Sequence, residues 1–122
     1  MSKNKSILII DDDKYILSVF SKILNKQGYI VENAETGREA MEMITKKQYD
    51  LVLIDVKLPD VEGPILVEKM NKINPDMIKI VITGFPSIED ANKVMDEGAT
   101  AYLVKPVKSE ELVKFIDKKL NK

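Results

Sequence analysis

Five short apolar runs alternate along the chain with stretches whose apolar residues recur every three to four positions. Ile7-Leu8-Ile9-Ile10 is the first run, and it stops abruptly at Asp11-Asp12-Asp13. Ile16, Leu17, Phe20, Ile23 and Leu24 follow at helical spacing, which predicts an amphipathic helix closed by Gly28. Residues 29–31 predict a weaker second strand. Thr36-Gly37-Arg38-Glu39 has the Thr-x-x-Glu form of a capping box and opens a helix that turns Ala40, Met41 and Ile44 inward. The run Leu51-Val52-Leu53-Ile54 is apolar without alternation, as expected of a strand covered on both faces. It ends at Asp55, and Leu58-Pro59 bars further pairing because proline has no N–H to give a ladder.

Gly63-Pro64 predicts the start of a third helix, with Leu66, Met70 and Ile73 on its buried face. Asn74-Pro75-Asp76 is a turn. Residues 77–82 form a fourth apolar run ending at Thr83-Gly84. Ser87 is the expected N-cap of a helix carrying Ile88, Ala91, Val94 and Met95 inward and closed by Gly98. Residues 100–104 predict a fifth strand that halts at Lys105-Pro106. Ser109-Glu110-Glu111 then caps a last helix burying Leu112, Phe115, Ile116 and Leu120, with its early acids and later lysines suited to the helix dipole. Strands alternating with helices over short connections argue an α/β domain with a parallel sheet and right-handed crossovers.

The length of 122 residues is that of one domain, so residues 1–122 are expected to form a single unit. Cysteine and histidine are both absent. Their absence excludes disulfides, thiolate and imidazole metal sites, histidine acid–base catalysis and a phosphohistidine on this chain. A net charge of −1 gives no bulk electrostatic case for nucleic acid or an anionic membrane. No apolar run approaches the length of a spanning helix. Residues 1–6 are polar and mildly basic with no apolar stretch behind them, and are not expected to be a signal peptide.

Four of the five strands end in polar residues: Asp11-Asp12, Asp55, Thr83 and Lys105. Each has an ordinary explanation. Asp12 or Asp13 could simply cap the first helix, Asp55 could shape a turn, Thr83 could be a β-branched strand end, and Lys105 could be a solvated lysine. Parallel strands share one carboxyl edge, however, and that is the edge where such sheets bind ligands. Crowded carboxylates raise one another's pKa unless a cation sits among them, and oxygen-only ligands suit Mg²⁺. A carboxylate can also attack phosphorus and form an aspartyl-phosphate. Negative charge then spreads over the phosphoryl oxygens, where Mg²⁺, a lysine ammonium and a hydroxyl would stabilise it. Asp55 stands alone on a central strand and is the expected nucleophile; Asp11 and Asp12, adjacent in one loop, are better placed as metal ligands.

These segments, in this order, resemble the receiver domain of two-component response regulators over essentially the whole chain. The matching pieces are Ile7-Leu8-Ile9-Ile10-Asp11-Asp12-Asp13, Asp50-Leu51-Val52-Leu53-Ile54-Asp55-Val56-Lys57-Leu58-Pro59, Val81-Ile82-Thr83-Gly84 and Gly98-Ala99-Thr100-Ala101-Tyr102-Leu103-Val104-Lys105-Pro106. The resemblance implies a doubly wound, flavodoxin-like α/β fold: a five-stranded parallel sheet in order 2-1-3-4-5 flanked by five helices. It implies phosphorylation of Asp55 by a partner histidine kinase or histidine phosphotransfer protein. It further implies Mg²⁺ held by Asp12, Asp55 and the main-chain carbonyl of Lys57, and through water by Asp11. Thr83 and Lys105 would contact the phosphoryl group, and the Lys105–Pro106 bond would be cis, a form far less costly before proline than elsewhere.

A switch is implied as well. On phosphorylation Thr83 would move toward the phosphate and Tyr102 would rotate inward, repositioning the face of the fourth helix, fifth strand and fifth helix where a downstream protein docks. Physically this is a two-state equilibrium biased by one local charge change. Gly84 departs from the family's usual Ala or Ser and loosens the loop carrying Thr83; Val107 replaces a common aromatic. Lys57 and Phe85 flank the site and would tune the loss of the phosphoryl group to water. Such a domain is cytoplasmic, binds no nucleic acid directly and is not an enzyme with an external product. The chain could stand alone or be part of a longer regulator.

Three other readings compete. An aspartate-nucleophile phosphohydrolase of the haloacid dehalogenase type shares the Asp-x-Asp spacing, but Asp13 leads into Lys14-Tyr15 rather than that family's Thr or Val. A flavodoxin-like cofactor binder would need a phosphate loop where three acids stand, and neither a dinucleotide fingerprint nor a P-loop is present. A degenerate receiver acting only as an interaction module would be expected to have lost one of these polar groups, and none is missing.

Overall fold

The computed structural model describes residues 5–121; of the polar leader at residues 1–6, Met1–Asn4 lie outside the described residues, as does Lys122. The elements run β1 (Ser6–Ile10), α1 (Lys14–Lys26), β2 (Ile30–Ala34), α2 (Gly37–Lys46), β3 (Leu51–Asp55), α3 (Gly63–Ile73), β4 (Ile78–Thr83), α4 (Ile88–Asp96), β5 (Ala101–Val104) and α5 (Ser109–Leu120). All strand pairs are parallel, in the order β2-β1-β3-β4-β5. No described helix is long and apolar enough to cross a membrane.

Strand alternation splits the interior into two layers. Ile7, Ile9, Leu51, Leu53, Ile80 and Ile82 face α1 and α5, meeting Leu17, Phe20, Leu24, Leu112 and Ile116. Leu8, Ile10, Val52, Ile54 and Val81 face the other way onto Ala40, Ile44, Leu66, Val67, Met70 and Val94 of α2, α3 and α4. Central strands covered on both faces must be apolar throughout, which is why β1 and β3 carry no alternation.

Several edges differ from the sequence expectation. The second strand begins at Ile30, and Tyr29 is instead buried before it, its hydroxyl donating to Asp117 of α5. Ile73, the last residue of α3, is 45% exposed because the helix ends at the amino edge, beyond the packed layer. Helix α4 buries only Val94; Ile88 is 82% exposed and Met95 46% exposed. Beyond the edge strand β5 there is no further sheet to cover them. Helix α5 is entered through Lys108 without a side-chain cap bond, and Ser109 is its first helical residue. Ser87 does cap α4, accepting from the Asp90 N–H at 3.0 Å. In the Thr36 box the return bond from Glu39 goes to the Glu35 N–H, one residue before the cap.

Candidate functional site

The register of the sheet assembles the site. Ile10 pairs with Ile54, so Asp11 and Asp55 follow side by side at the ends of β1 and β3. Asp55 pairs with Ile82, the residue before Thr83, and Thr83 pairs with Val104, the residue before Lys105. Short polar connections after each strand are all that is needed to bring residues dozens of positions apart to one edge.

One carboxylate oxygen from each of Asp11, Asp12 and Asp55 lies within 4.8 Å of the others. Asp11 is buried, Asp55 half-buried and Asp12 exposed. Asp13 takes the helix-capping role: its Oδ1 accepts from the N–H groups of Tyr15 at 2.9 Å and Ile16 at 3.4 Å. That division leaves Asp11 and Asp12 available to the pocket. Asp11 is oriented by the Asp13 N–H, which donates to its Oδ1 at 2.9 Å.

Lys105 reaches back into this cluster from the end of β5. Its Nζ lies 3.2 Å from Asp11 Oδ2 and 4.0 Å from Asp55 Oδ2. The peptide bond between Lys105 and Pro106 is cis. The Lys57 N–H donates to Asp55 Oδ1 at 3.2 Å, so the nucleophile candidate is held by its own loop. Ile9, Phe20, Leu53 and Ile82 share the pocket with Asp11, Asp55 and Lys105. Burial among such side chains is the largest cause pushing the Asp55 carboxyl up to about 6; the Asp11 charge adds to it, while the Lys57 N–H and Lys105 oppose it.

Thr83 is fully buried at the same edge, and its hydroxyl accepts from the Phe85 N–H at 3.0 Å. By alternation Thr83 shares the face of Val81, whose lateral partner is Tyr102. Tyr102 is half-buried against the α2–α3–α4 layer, and its hydroxyl accepts from the Ser87 N–H at 3.3 Å at the start of α4. The residues singled out in the sequence therefore fall into two groups: Asp11, Asp12, Asp55 and Lys105 in one charged cluster, and Thr83 with Tyr102 linked through the β4–β5 register. Lys57 and Phe85 face each other across the mouth, with the ammonium 5.1 Å from the ring centre.

Two polar residues escaped the sequence reading. Asp60, at the tip of the loop after Asp55, accepts at 2.9 Å from the N–H groups of both Gly37 and Arg38. Nothing local could have revealed this, because its partners lie in another helix. Lys79, alone in the apolar run of β4, is buried, and its ammonium donates to the Met77 carbonyl at 2.7 Å. A lone lysine inside a strand with two apolar neighbours was the available signal. Burial holds its pKa below the ordinary lysine value.

Comparison with known proteins agrees with the geometry. The model of the response regulator receiver domain matches residues 7–117. The transcriptional regulatory protein ZraR of Escherichia coli is 32% identical over 117 residues, which is 96% of this chain but only 26% of ZraR. The chain thus spans about a quarter of that relative's length. A CheY-like receiver domain protein from Methanospirillum hungatei superposes with a TM-score of 0.95 at 43% identity, covering 98% of this chain and 95% of the other. A Burkholderia pseudomallei response regulator, solved with a phosphorylated aspartic acid, a calcium ion and citrate, gives a TM-score of 0.85 at 28% identity, covering 90% and 65%. With its parallel sheet, its edge of acids and lysine and a match over nearly its full length, the chain belongs to the response regulator receiver domain family of two-component systems.

Proposed function

We propose that Asp55 is the phosphoacceptor of this domain and that its phosphorylation is the signal the domain relays. The observation that carries this reading is the pocket itself: three carboxylates within 4.8 Å of one another, facing a single ammonium. Like charges this close raise one another's pKa unless cations compensate them, and one lysine leaves negative charge in excess. The donor set is all oxygen, which fits a hard divalent ion of the Mg²⁺ kind. Asp12, Asp55 and the Lys57 carbonyl would hold Mg²⁺ directly and Asp11 through water, and the ion would neutralise charge on the phosphoryl oxygens.

In the transfer, an Asp55 carboxylate oxygen forms a bond to phosphorus as the bond from phosphorus to a phosphohistidine nitrogen on a partner kinase or phosphotransfer protein breaks. The electron pair of that bond leaves with the imidazole, which takes up a proton from solvent. Lys105 already stands beside the acids and would follow the phosphoryl oxygens. Thr83 would exchange its bond with the Phe85 N–H for one to the phosphoryl group, and Tyr102 would leave the start of α4 for the space released. Downstream proteins would read this on the face of α4, β5 and α5, where Ile88, Met95 and Val104 are exposed. The domain acts in the cytoplasm as a single unit, makes protein contacts rather than nucleic-acid contacts, and promotes only its own phosphorylation and dephosphorylation.

Incubation with Mg²⁺ and a small acyl-phosphate donor tests the reading. Intact mass should rise by one phosphoryl group, hydroxylamine should remove it, and Asp55→Asn should abolish it. A wild-type chain that gains no mass would favour a pure interaction module.

A further inference from the structure

We infer that Asp60 is a positioning residue for the metal site: it bolts the loop carrying the Lys57 carbonyl onto the first turn of α2. This rests on the receiver reading above. The loop leaves Asp55 and returns at Gly63, and its neck is closed by a bridge between Lys57 and Glu62 and by the Gly63 N–H, which donates to the Val56 carbonyl at 3.0 Å. An added Cβ on Gly63 would sit 3.0 Å from the Val56 Cα, so a side chain there would press on the backbone of the neck.

The tip is fixed independently. The two carboxylate oxygens of Asp60 take separate N–H groups, those of Gly37 and Arg38, each at 2.9 Å. Beside them, a Cβ on Gly37 would lie 2.2 Å from the Val61 Cγ1. The loop is therefore seated directly on the helix, and Gly37 is what permits the approach. Helix α2 already has its own cap, Thr36, whose hydroxyl oxygen accepts from the Glu39 N–H at 3.0 Å. Asp60 supplies the two remaining first-turn contacts from 22 and 23 residues away. A helix N-terminus is electropositive and its free N–H groups need acceptors, so a carboxylate is the natural anchor.

The consequence lies in the Lys57 carbonyl. A main-chain ligand has no rotamer of its own, so its position is that of its loop. Groups that orient a ligand without touching the metal typically govern affinity by roughly tenfold or more. Releasing the tip leaves only the neck and the Asp55–Lys57 contact to aim that carbonyl.

The test compares Asp60→Ala with Thr36→Ala, which removes a cap bond of the same helix without touching the loop. Mg²⁺ affinity is measured by calorimetry, alongside melting temperature and amide exchange at Lys57 in metal-free protein. Both variants should melt lower. Only Asp60→Ala should weaken Mg²⁺ binding, by roughly tenfold, and speed exchange at Lys57. Asp60→Asn, which keeps one acceptor, should recover part of the loss. Wild-type binding with unchanged affinity in Asp60→Ala would overturn the inference alone. A wild-type chain that binds no Mg²⁺ would overturn the receiver chemistry along with it.

Discussion

Replacing Asp55 by Asn should stabilise the metal-free protein, and the gain should depend on pH in a way set by the pocket. The Asp55 carboxyl is held at about 6 in the folded chain against an ordinary 3.8. Each tenfold in proton affinity is worth about 1.4 kcal/mol, so ionising this group in the fold costs about 3 kcal/mol. The native state binds the proton more tightly than the unfolded chain does. Wild-type stability therefore falls as pH rises from 3.8 through about 6, and the full penalty stands above that. Asparagine keeps the shape and an oxygen for the Lys57 N–H but carries no charge. In EDTA, urea unfolding should show Asp55→Asn ahead by about 3 kcal/mol at pH 8 and by only about 1 kcal/mol at pH 4.5. For a chain of this length the larger figure is a rise in melting temperature of about 10 °C. Saturating Mg²⁺ should narrow the gap at pH 8 by binding the wild-type native state more tightly. Equal stabilities at pH 8, or a gap that does not shrink at low pH, would refute the argument that burial makes the ionised Asp55 carboxylate costly.

Four further substitutions have expected outcomes. Lys105→Ala should cut the initial rate of acyl-phosphate labelling far more than it lowers the melting temperature, because Lys105 sits in the pocket at the sheet edge while the core lies elsewhere; a parallel loss of both would assign it a structural role. Lys79→Met should add about 1 kcal/mol at neutral pH by removing a buried ammonium. Because burial depresses the Lys79 pKa, wild-type stability should also climb as pH rises toward the ordinary lysine value, and denaturant titrations should show that climb missing in the variant. Gly84→Ala should be neutral or stabilising by up to about 1 kcal/mol, since the nearest atom to a new Cβ is Lys105 Cδ at 3.8 Å. Gly98→Ala should instead cost more than about 1 kcal/mol, because φ is +113° and the Asn71 side chain stands 2.7 Å away; thermal melts that rank the two glycines in the reverse order would contradict both arguments.

The sequence by itself determined the element series, the parallel sheet and the polar residues at four strand ends. Those features are local: unbroken apolar runs, helical spacing, Pro and Gly stops, and Ser or Thr at helix starts. It also narrowed the first-loop acids to a helix cap or a ligand set without separating them. Tertiary structure separated them, giving Asp13 to the helix and Asp11 and Asp12 to the pocket, because only folded backbone shows which N–H groups each oxygen can reach. It likewise exposed Ile88, Met95 and Ile73, which helical spacing alone places inward, since burial depends on how far the neighbouring layer extends. The bond from the Phe85 N–H to the Thr83 hydroxyl and Asp60 reaching back to α2 were equally hidden. Orientation at a strand end and contacts between distant loops arise from chain crossings, and no periodicity within a single segment encodes them.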